Sequence, residues 1–242
     1  MIKTSGLAKK FDSVWAVREL NLDIKKGCFY CLLGPNGAGK TTTLRLLAGL
    51  LKPTQGKIYI LGQDITSSSE VKKFIGFIPD TPFLYENLTI EEFLEFAGAI
   101  FQVEKNILRK KIDYYLDIFK LSQLKNILIR ECSHGIKQRV VYISNFLHDP
   151  QVLLIDEPLV GLDPYSITLI KRLLKEYTHK GSTVLMSTHI LNIAEELADI
   201  IGIIDKGSLI SQGTLSQLRE KTSQKSLEEI FLKLTISDYG NY

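Results

Sequence analysis

The sequence predicts an α/β protein built on a largely parallel sheet, and three observations predict it. Apolar strand-like runs alternate with amphipathic helical stretches along most of the chain, the order that crossover connections between parallel strands require. The alternation is interrupted once, between about Thr89 and Leu147, by helical periods with no strand among them, which reads as an inserted subdomain. Residues 1–25 read as strands alone.

Each element follows from its pattern. "IKTSGLAKKF" and "SVWAVRELNLDI" alternate polar and apolar residues, the period of half-buried strands. "CFYCLLG" is apolar throughout and reads as a strand buried on both faces, running into a glycine-rich turn and the helix "GKTTTLRLLAGLL". "GKIYILGQD" is another strand, and "KKFIGFIPD" a short one ending at Pro79. Thr89 with Glu92 forms a capping box that opens the helix "IEEFLEFAGAIF". The next helix, "ILRKKIDYYLDIFKL", carries Leu108, Ile112, Tyr115 and Phe119 on one stripe. Ser133 is the N-cap of a third helix, with Ile136, Val140, Ile143 and Leu147 in period. "VLLIDE" resumes the buried strands, and Asp163-Pro164 opens a helix bearing Ile167, Ile170, Leu174 and Tyr177. "STVLMSTH" is a strand, "ILNIAEELA" a helix, and "DIIGIID" and "GSLISQG" two final strands. Thr214 with Gln217 and Ser226 with Glu229 are capping boxes for two short helices.

Composition bounds the function. A chain of 242 residues is one large domain or a core with one insertion, and 45% hydrophobic with 24% charged residues fits a soluble globular protein. No run approaches the roughly 20 apolar residues of a membrane-spanning helix. "LADIIGIIDKG" is far shorter and is broken by Asp199 and Asp205, and "MIKTSGLAKKFDS" lacks the apolar middle of a secretory signal. The expectation is a cytosolic protein. The net charge is +3 with no block of five like charges, and the basic spot "LRKKIDYYL" sits at helical spacing beside Asp113 and Asp117. That is a solvated helix face rather than a nucleic-acid patch. Of the three cysteines, Cys28 and Cys31 form a C-x-x-C, but in a strand residues three apart lie on opposite faces. With no second pair at zinc spacing, both read as core packing.

The chemistry lies in three stretches. "GPNGAGKT", Gly34 to Thr41, matches G-x-x-x-x-G-K-[ST], a pattern that chance places in about one chain in a hundred of this length. Its strand-to-helix setting is the one such a loop needs. Glycines let backbone N–H groups curl around phosphate oxygens, Lys40 brings a point charge to the β- and γ-phosphates, and the Thr41 hydroxyl can ligate Mg²⁺. "VLLIDEP" places Asp156 and Glu157 at the carboxyl end of a buried strand. Asp156 suits Mg²⁺, commonly through water, and Glu157 suits orientation or deprotonation of an attacking water. His189 ends "TVLMSTH" and emerges at the same edge, where an imidazole can bond the γ-phosphate or that water. "ECSHGIKQR" raises a separate question, because a capped helix begins there without an evident ligand.

"GPNGAGKTT", "CSHGIKQR" shortly before "VLLIDEP", "GLDP" after it and "STH" further on together resemble the nucleotide-binding subunit of ATP-binding cassette (ABC) transporters, over nearly the whole chain. The resemblance implies a P-loop NTPase core with an N-terminal antiparallel β subdomain and an inserted α-helical subdomain. It divides a single domain over 1–242 into a β subdomain with the phosphate-loop part of the core (1–80), a helical insert with the signature (81–148), the rest of the core (149–213) and short C-terminal helices (214–242). It implies that ATP and Mg²⁺ are bound, with Gly34, Pro35, Asn36, Gly37, Ala38, Gly39, Lys40, Thr41 and Thr42 around the phosphates. Thr41, Asp156 and Asp80 are then near the metal, and Lys40, Glu157 and His189 at the chemistry. Phe11 matches the aromatic that stacks on adenine, with Trp15 as its rival; read from the bare sequence, Phe11 is a core residue. Two chains pair head to tail, so Ser133 and Gly135 of each face the ATP held by the other, and Asp163 links the two sites. A helix start suits that role, because its free N–H groups attract phosphate.

Three departures stand out. His134 occupies the first of the two glycines usual after the signature serine, a tolerable change if its side chain points away from phosphate and a helpful one if the ring is protonated. Asp80 stands where the family has a glutamine that touches Mg²⁺; it either ligates the metal strongly, works through water, or does not reach. Leu159-Val160 replaces the small polar residues usual before "GLDP". The implied function is an ATPase subunit that drives a separate transmembrane partner, docked near Pro79 to Glu86 through Phe83, Leu84 and Tyr85. It works as a homodimer on the inner face of the cell membrane, without nucleic acid. The "SHG" signature and the ending "SLEEIFLKLT" resemble the drug, antibiotic and lipid exporter branch. The rival readings are a soluble mechanical ATPase acting on ribosomes or DNA, and a weakly catalytic nucleotide sensor.

Overall fold

The computed structural model describes residues 1–157, 159 and 161–235. Pro158, Val160 and the last residues from 236 onward lie outside the described residues, and with them half of the Leu159-Val160 pair and the end of the 214–242 segment.

The alternating N-terminal stretches form β1 (Ile2–Phe11), β2 (Val14–Leu20) and β3 (Asp23–Ile24). They join β5 (Gln55–Ile60) and β6 (Gln63–Asp64) in an antiparallel sheet of order β2-β1-β5-β6, with β3 also on β1. Two stretches predicted as single strands are each divided. "SVWAVRELNLDI" breaks at Asn21-Leu22, and "GKIYILGQD" folds into a hairpin at Leu61-Gly62. Both Leu61 (φ 54°) and Gly62 (φ 79°) have positive φ, the demand of a two-residue turn whose twist matches its strands.

The apolar strands β4 (Phe29–Leu33), β7 (Ile75–Ile78), β8 (Val152–Asp156), β9 (Thr183–Thr188) and β10 (Ile200–Asp205) pair in parallel, with β11 (Ser208–Gly213) antiparallel at one edge. Their order is β11-β10-β4-β9-β8-β7. Every residue of β4, β8 and β9 is buried, as a sheet covered on both faces requires. Helix α1 (Lys40–Leu47) leaves the glycine-rich turn. Helices α2 (Ile90–Ile100), α3 (Lys105–Ile118) and α4 (His134–Phe146) fill the segment between β7 and β8. The Thr89 box is complete on both sides, and Leu108, Ile112 and Tyr115 of α3 are buried together with Phe119 just after it. Helix α5 (Pro164–His179) starts at Asp163, and α6 (Leu191–Leu197) follows His189. The boxes at Thr214 and Ser226 open α7 (Leu215–Thr222) and α8 (Leu227–Thr235).

Two apolar clusters sandwich the parallel sheet. One joins it to α2–α8; the other joins it to α1 and the antiparallel sheet. Cys31 lies inside β4 and Cys28 just before it, half-buried; both are free, and burial pushes the Cys28 thiol up to about 11. On α3, Lys111 donates to the Leu147 carbonyl and pairs with Asp149, which ties part of the basic spot to the protein's own acids and backbone. No helix among the described residues is long and apolar enough to cross a membrane.

Candidate active site

The strand order decides where the chemistry collects. β4, β9, β8 and β7 are consecutive parallel neighbours, so their carboxyl ends lie side by side. From that edge emerge the Gly34–Thr41 loop, Thr188-His189, Asp156-Glu157 and Pro79-Asp80. This is the crevice in which open α/β sheets hold ligands.

In the loop, Asn36 and Gly37 are exposed, Gly34 and Ala38 buried, and Pro35, Gly39, Thr41 and Thr42 intermediate. Gly39 has φ 100° and lies so close to β2 that a Cβ would sit 2.3 Å from the Ala16 carbonyl oxygen; only glycine fits. Lys40 opens α1 and is 7% exposed. Its ammonium donates to the Gly34 carbonyl at 2.8 Å and the Pro35 carbonyl at 3.2 Å, and lies 3.6 Å from a Glu157 carboxylate oxygen.

Glu157 has φ 46°, a left-handed conformation that costs a non-glycine residue about 1–2 kcal/mol. Its amide donates to the Ser187 carbonyl at 3.1 Å. Its carboxylate meets His189 Nδ1 at 3.0 Å and accepts from the Thr188 hydroxyl at 3.3 Å. Lys40, Glu157 and His189 therefore form one connected group, with the His189 ring half-exposed at its outer end. Asp156 is 1% exposed. One carboxylate oxygen accepts from the Ser187 hydroxyl at 2.5 Å, and the other, Oδ2, is buried without a partner. Burial pushes this carboxyl above its ordinary range; the Ser187 and Thr41 hydroxyls oppose the shift, and Asp80 and Glu157 add to it. Asp80 itself is exposed and accepts from the Thr81 amide at 2.8 Å.

Ser187 and Thr188 join the site beyond the motif residues, and both lie in "STH". Parallel pairing sets Ser187 opposite Asp156. That register, the missing signal, cannot be read from either strand alone.

Phe11 is 45% exposed rather than in the core. It pairs with Val14 at the end of the β1–β2 hairpin and lies under the Lys9 ammonium, whereas Trp15 pairs with Lys10 and lies under the Lys10 ammonium. Alternation thus puts the two aromatic candidates on opposite faces. Ser133 and His134 are exposed at the start of α4, and the Ser133 hydroxyl accepts from the Ile136 amide at 3.4 Å. Gly135 is half-buried, with Gly161 beside it. Asp163 caps α5 through the Ser166 amide at 3.0 Å and hydroxyl at 2.6 Å, which hold its carboxyl below the ordinary range. Gln138, one turn into α4, is buried and donates to the Pro79 carbonyl at 3.4 Å, tying that helix to the end of β7. Beside Asp80, a groove of about 580 Å³ is lined by residues that include Leu50, Pro82, Phe83 and Asn145. Phe83 is 90% exposed, Leu84 packs on the core, and Tyr85 lies edge-on to Phe96.

Residues 17–160 match the family model described as ABC transporter. The chain belongs to the ABC transporter family. It is 39% identical over 230 residues to the bacitracin transport ATP-binding protein BcrA of Bacillus licheniformis, covering 94% of this chain and 74% of that one. To the probable multidrug ABC transporter ATP-binding protein YbhF of Escherichia coli it is 32% identical, over 97% of this chain and 41% of that one. A solved ATP-binding subunit of an ABC transporter superposes with a TM-score of 0.92 at 31% identity, over 97% of this chain and 99% of that one. The cassette MJ0796, solved as a dimer in a post-hydrolysis state with ADP and Pi, gives 0.81 at 27% identity, over 89% and 99%. This ABC chain is an ATP-binding, ATP-hydrolysing subunit, and the ribosome, DNA and sensor readings are not favoured.

Proposed function

We propose that the subunit closes with a second copy of itself around two ATP molecules and so drives a separate transmembrane exporter on the inner face of the cell membrane. The connected group Lys40–Glu157–His189 carries the proposal. A phosphate tail entering the loop exchanges the Lys40 bonds to Gly34 and Pro35 for bonds to β- and γ-phosphate oxygens. Glu157, fixed by Thr188 and His189, takes the proton of the attacking water, while the exposed part of the His189 ring meets the γ-phosphate. Phe11 stacks on adenine from its exposed hairpin position. Ser133 and the Gly135 backbone of the neighbouring copy close over the γ-phosphate, and Asp163 lies between the two sites.

The residues also fit Mg²⁺. Among them the orphaned Asp156 Oδ2 needs a cation, and the Thr41 hydroxyl is beside the same carboxylate. No cluster of three or more His, Cys, Asp or Glu among the described residues could hold a metal alone. Mg²⁺ does not need one, because it takes one or two protein oxygens and completes its shell with phosphate and water. Thr41, Asp156 and, directly or through water, Asp80 would hold it. When bound, the ion neutralises charge on the phosphate oxygens.

The groove next to Pro79 to Glu86, with Phe83 exposed and Tyr85 partly committed to Phe96, suits a short helix of the membrane partner. The relatives named for bacitracin transport and for multidrug transport support the export reading. The test is Glu157→Gln, which removes the base and keeps the shape. Hydrolysis falls by about 10²–10⁴-fold and an ATP-bound dimer accumulates in sedimentation. A variant that stays monomeric with saturating ATP, membrane partner present, overturns the sandwich.

A further inference from the structure

His134 has no counterpart in the double-glycine form of the signature, and its side chain is not spent on solvent alone. It lies against Gly161: a Cβ on that glycine would come within 2.9 Å of His134 Cδ2 and 3.4 Å of Nε2. Gly161 has φ 77°, so the approach is between an imidazole and bare left-handed backbone. One residue on, a Cβ at Gly135 would sit 3.1 Å from the Gly161 carbonyl oxygen. The start of α4 and the Gly161–Asp163 loop are thus in direct contact within one chain.

Other contacts fasten the same loop to the helical block. The Tyr165 hydroxyl donates to the Ile118 carbonyl at 3.0 Å, and the Lys120 ammonium lies 3.8 Å from the centre of the Tyr165 ring. Arg139 donates to the Phe119 carbonyl at 3.0 Å and the Gly135 carbonyl at 3.3 Å, and its charge also reaches Asp163. The Tyr165 contacts lie in α5, past the loop, and Arg139 reaches it by charge at Asp163; among the described residues His134 and Gly135 meet it at Gly161 itself.

We propose that His134 is a positioning residue: its ring, laid over Gly161, keys the signature to the Asp163 loop of the same chain, so that both reach the neighbouring subunit as one piece. This rests on the two-copy sandwich proposed above. A glycine at this position leaves the two segments to be ordered separately at closure, and that cost falls on sandwich formation rather than on nucleotide capture by one chain. The role is one of shape. It therefore differs from an imidazolium that touches the γ-phosphate.

The experiment compares H134G, H134F, G161A and the double variant H134G/G161A in the full chain with MgATP. H134G raises half-saturating ATP for hydrolysis about five- to tenfold, while single-chain affinity for a fluorescent ATP analogue stays within about twofold. H134F, which keeps a flat ring and cannot be protonated, stays within about twofold of the parent and keeps its pH profile. G161A costs about tenfold or more with His134 present and several-fold less in the H134G background, because the steric part of its penalty has gone. Analogue binding by each variant shows that it is folded. If H134F is as impaired as H134G, or the two substitutions act independently, the positioning role is wrong. Sedimentation of E157Q and E157Q/H134G separates the two ideas. No ATP-bound dimer from E157Q overturns the sandwich itself. An E157Q dimer that H134G does not weaken overturns only the role of His134.

Discussion

Lys40, Glu157 and His189 are held to one another and to nearby backbone, whereas Ser133 and His134 form an exposed helix start that touches its own chain at Gly161. The first group stands on a parallel sheet whose central strands are wholly buried. The second stands on a helical block joined to that sheet through seams, such as Gln138 on Pro79 and Phe101 stacked on His148 at 3.6 Å between ring centres. The phosphate-loop side is braced from within by its own side chains and backbone. The signature side is an exposed helix start, and under the proposed sandwich that division lets one chain capture nucleotide and two act on it.

The division is broken most severely by Lys40→Ala. It removes a charge from a buried site where Glu157 is its partner, and analogue binding by the single chain weakens by about 100-fold or more in a titration. Ser133→Ala has the complementary signature: single-chain binding is unchanged while steady-state hydrolysis falls about ten- to 100-fold. Equal losses from both variants in the binding titration would erase the distinction between the two regions.

The seam is tested by pH. The His148 ring stacks on Phe101 near the Ile75 and Ser144 carbonyls, and neither of its nitrogens makes a well-formed hydrogen bond. Burial holds its pKa down to about 4; the Ile75 carbonyl, the Asp149 carboxylate and the Ser144 carbonyl oppose that shift, and the Lys111 ammonium reinforces it. Because the folded value lies below the ordinary one, the stability this residue contributes is present above about pH 6.5 and is lost as pH falls toward 4. The loss amounts to about 2–3 kcal/mol in denaturant unfolding. His148→Phe flattens that dependence, and a profile unchanged by the substitution removes His148 as its source.

Asp156→Asn acts more mildly and in the opposite direction. The Asp156 carboxyl is raised by burial, so as a charge it weighs against the nucleotide-free fold as pH rises through its folded value. Asparagine removes that charge, and the melting temperature of the nucleotide-free protein rises by about 2–4 °C while hydrolysis is lost. The smallest effect is that of Asp80→Gln, which relieves repulsion between Asp80 and Asp156. The Mg²⁺ concentration needed for half-maximal hydrolysis shifts by a few-fold, and an unchanged requirement shows that Asp80 does not act on the metal.

Much of this was legible in the residues because periodicity and caps are local. The Thr89, Thr214 and Ser226 boxes and the Asp163-Pro164 start open helices where their spacing places them. What was hidden depends on pairing or on dihedrals. Leu61-Gly62 turns a predicted strand into a hairpin through two positive φ angles. Ser187 reaches Asp156, and Thr188 reaches Glu157, only because β8 and β9 share one register. Phe11 reads as core from its neighbours, yet it ends a strand at a hairpin tip and stays exposed. The site motifs were visible as words, but the contact of His134 with Gly161 joins segments 27 positions apart by way of the whole of β8, and no local pattern encodes it.

The grip of Lys40 on the Gly34 and Pro35 carbonyls bears on what happens after products leave. Two main-chain oxygens of the turn can take the ammonium's bonds in place of phosphate oxygens, so losing those oxygens does not strand a buried cation. The turn so supplies its own acceptors and needs none from solvent to keep that side chain folded inward.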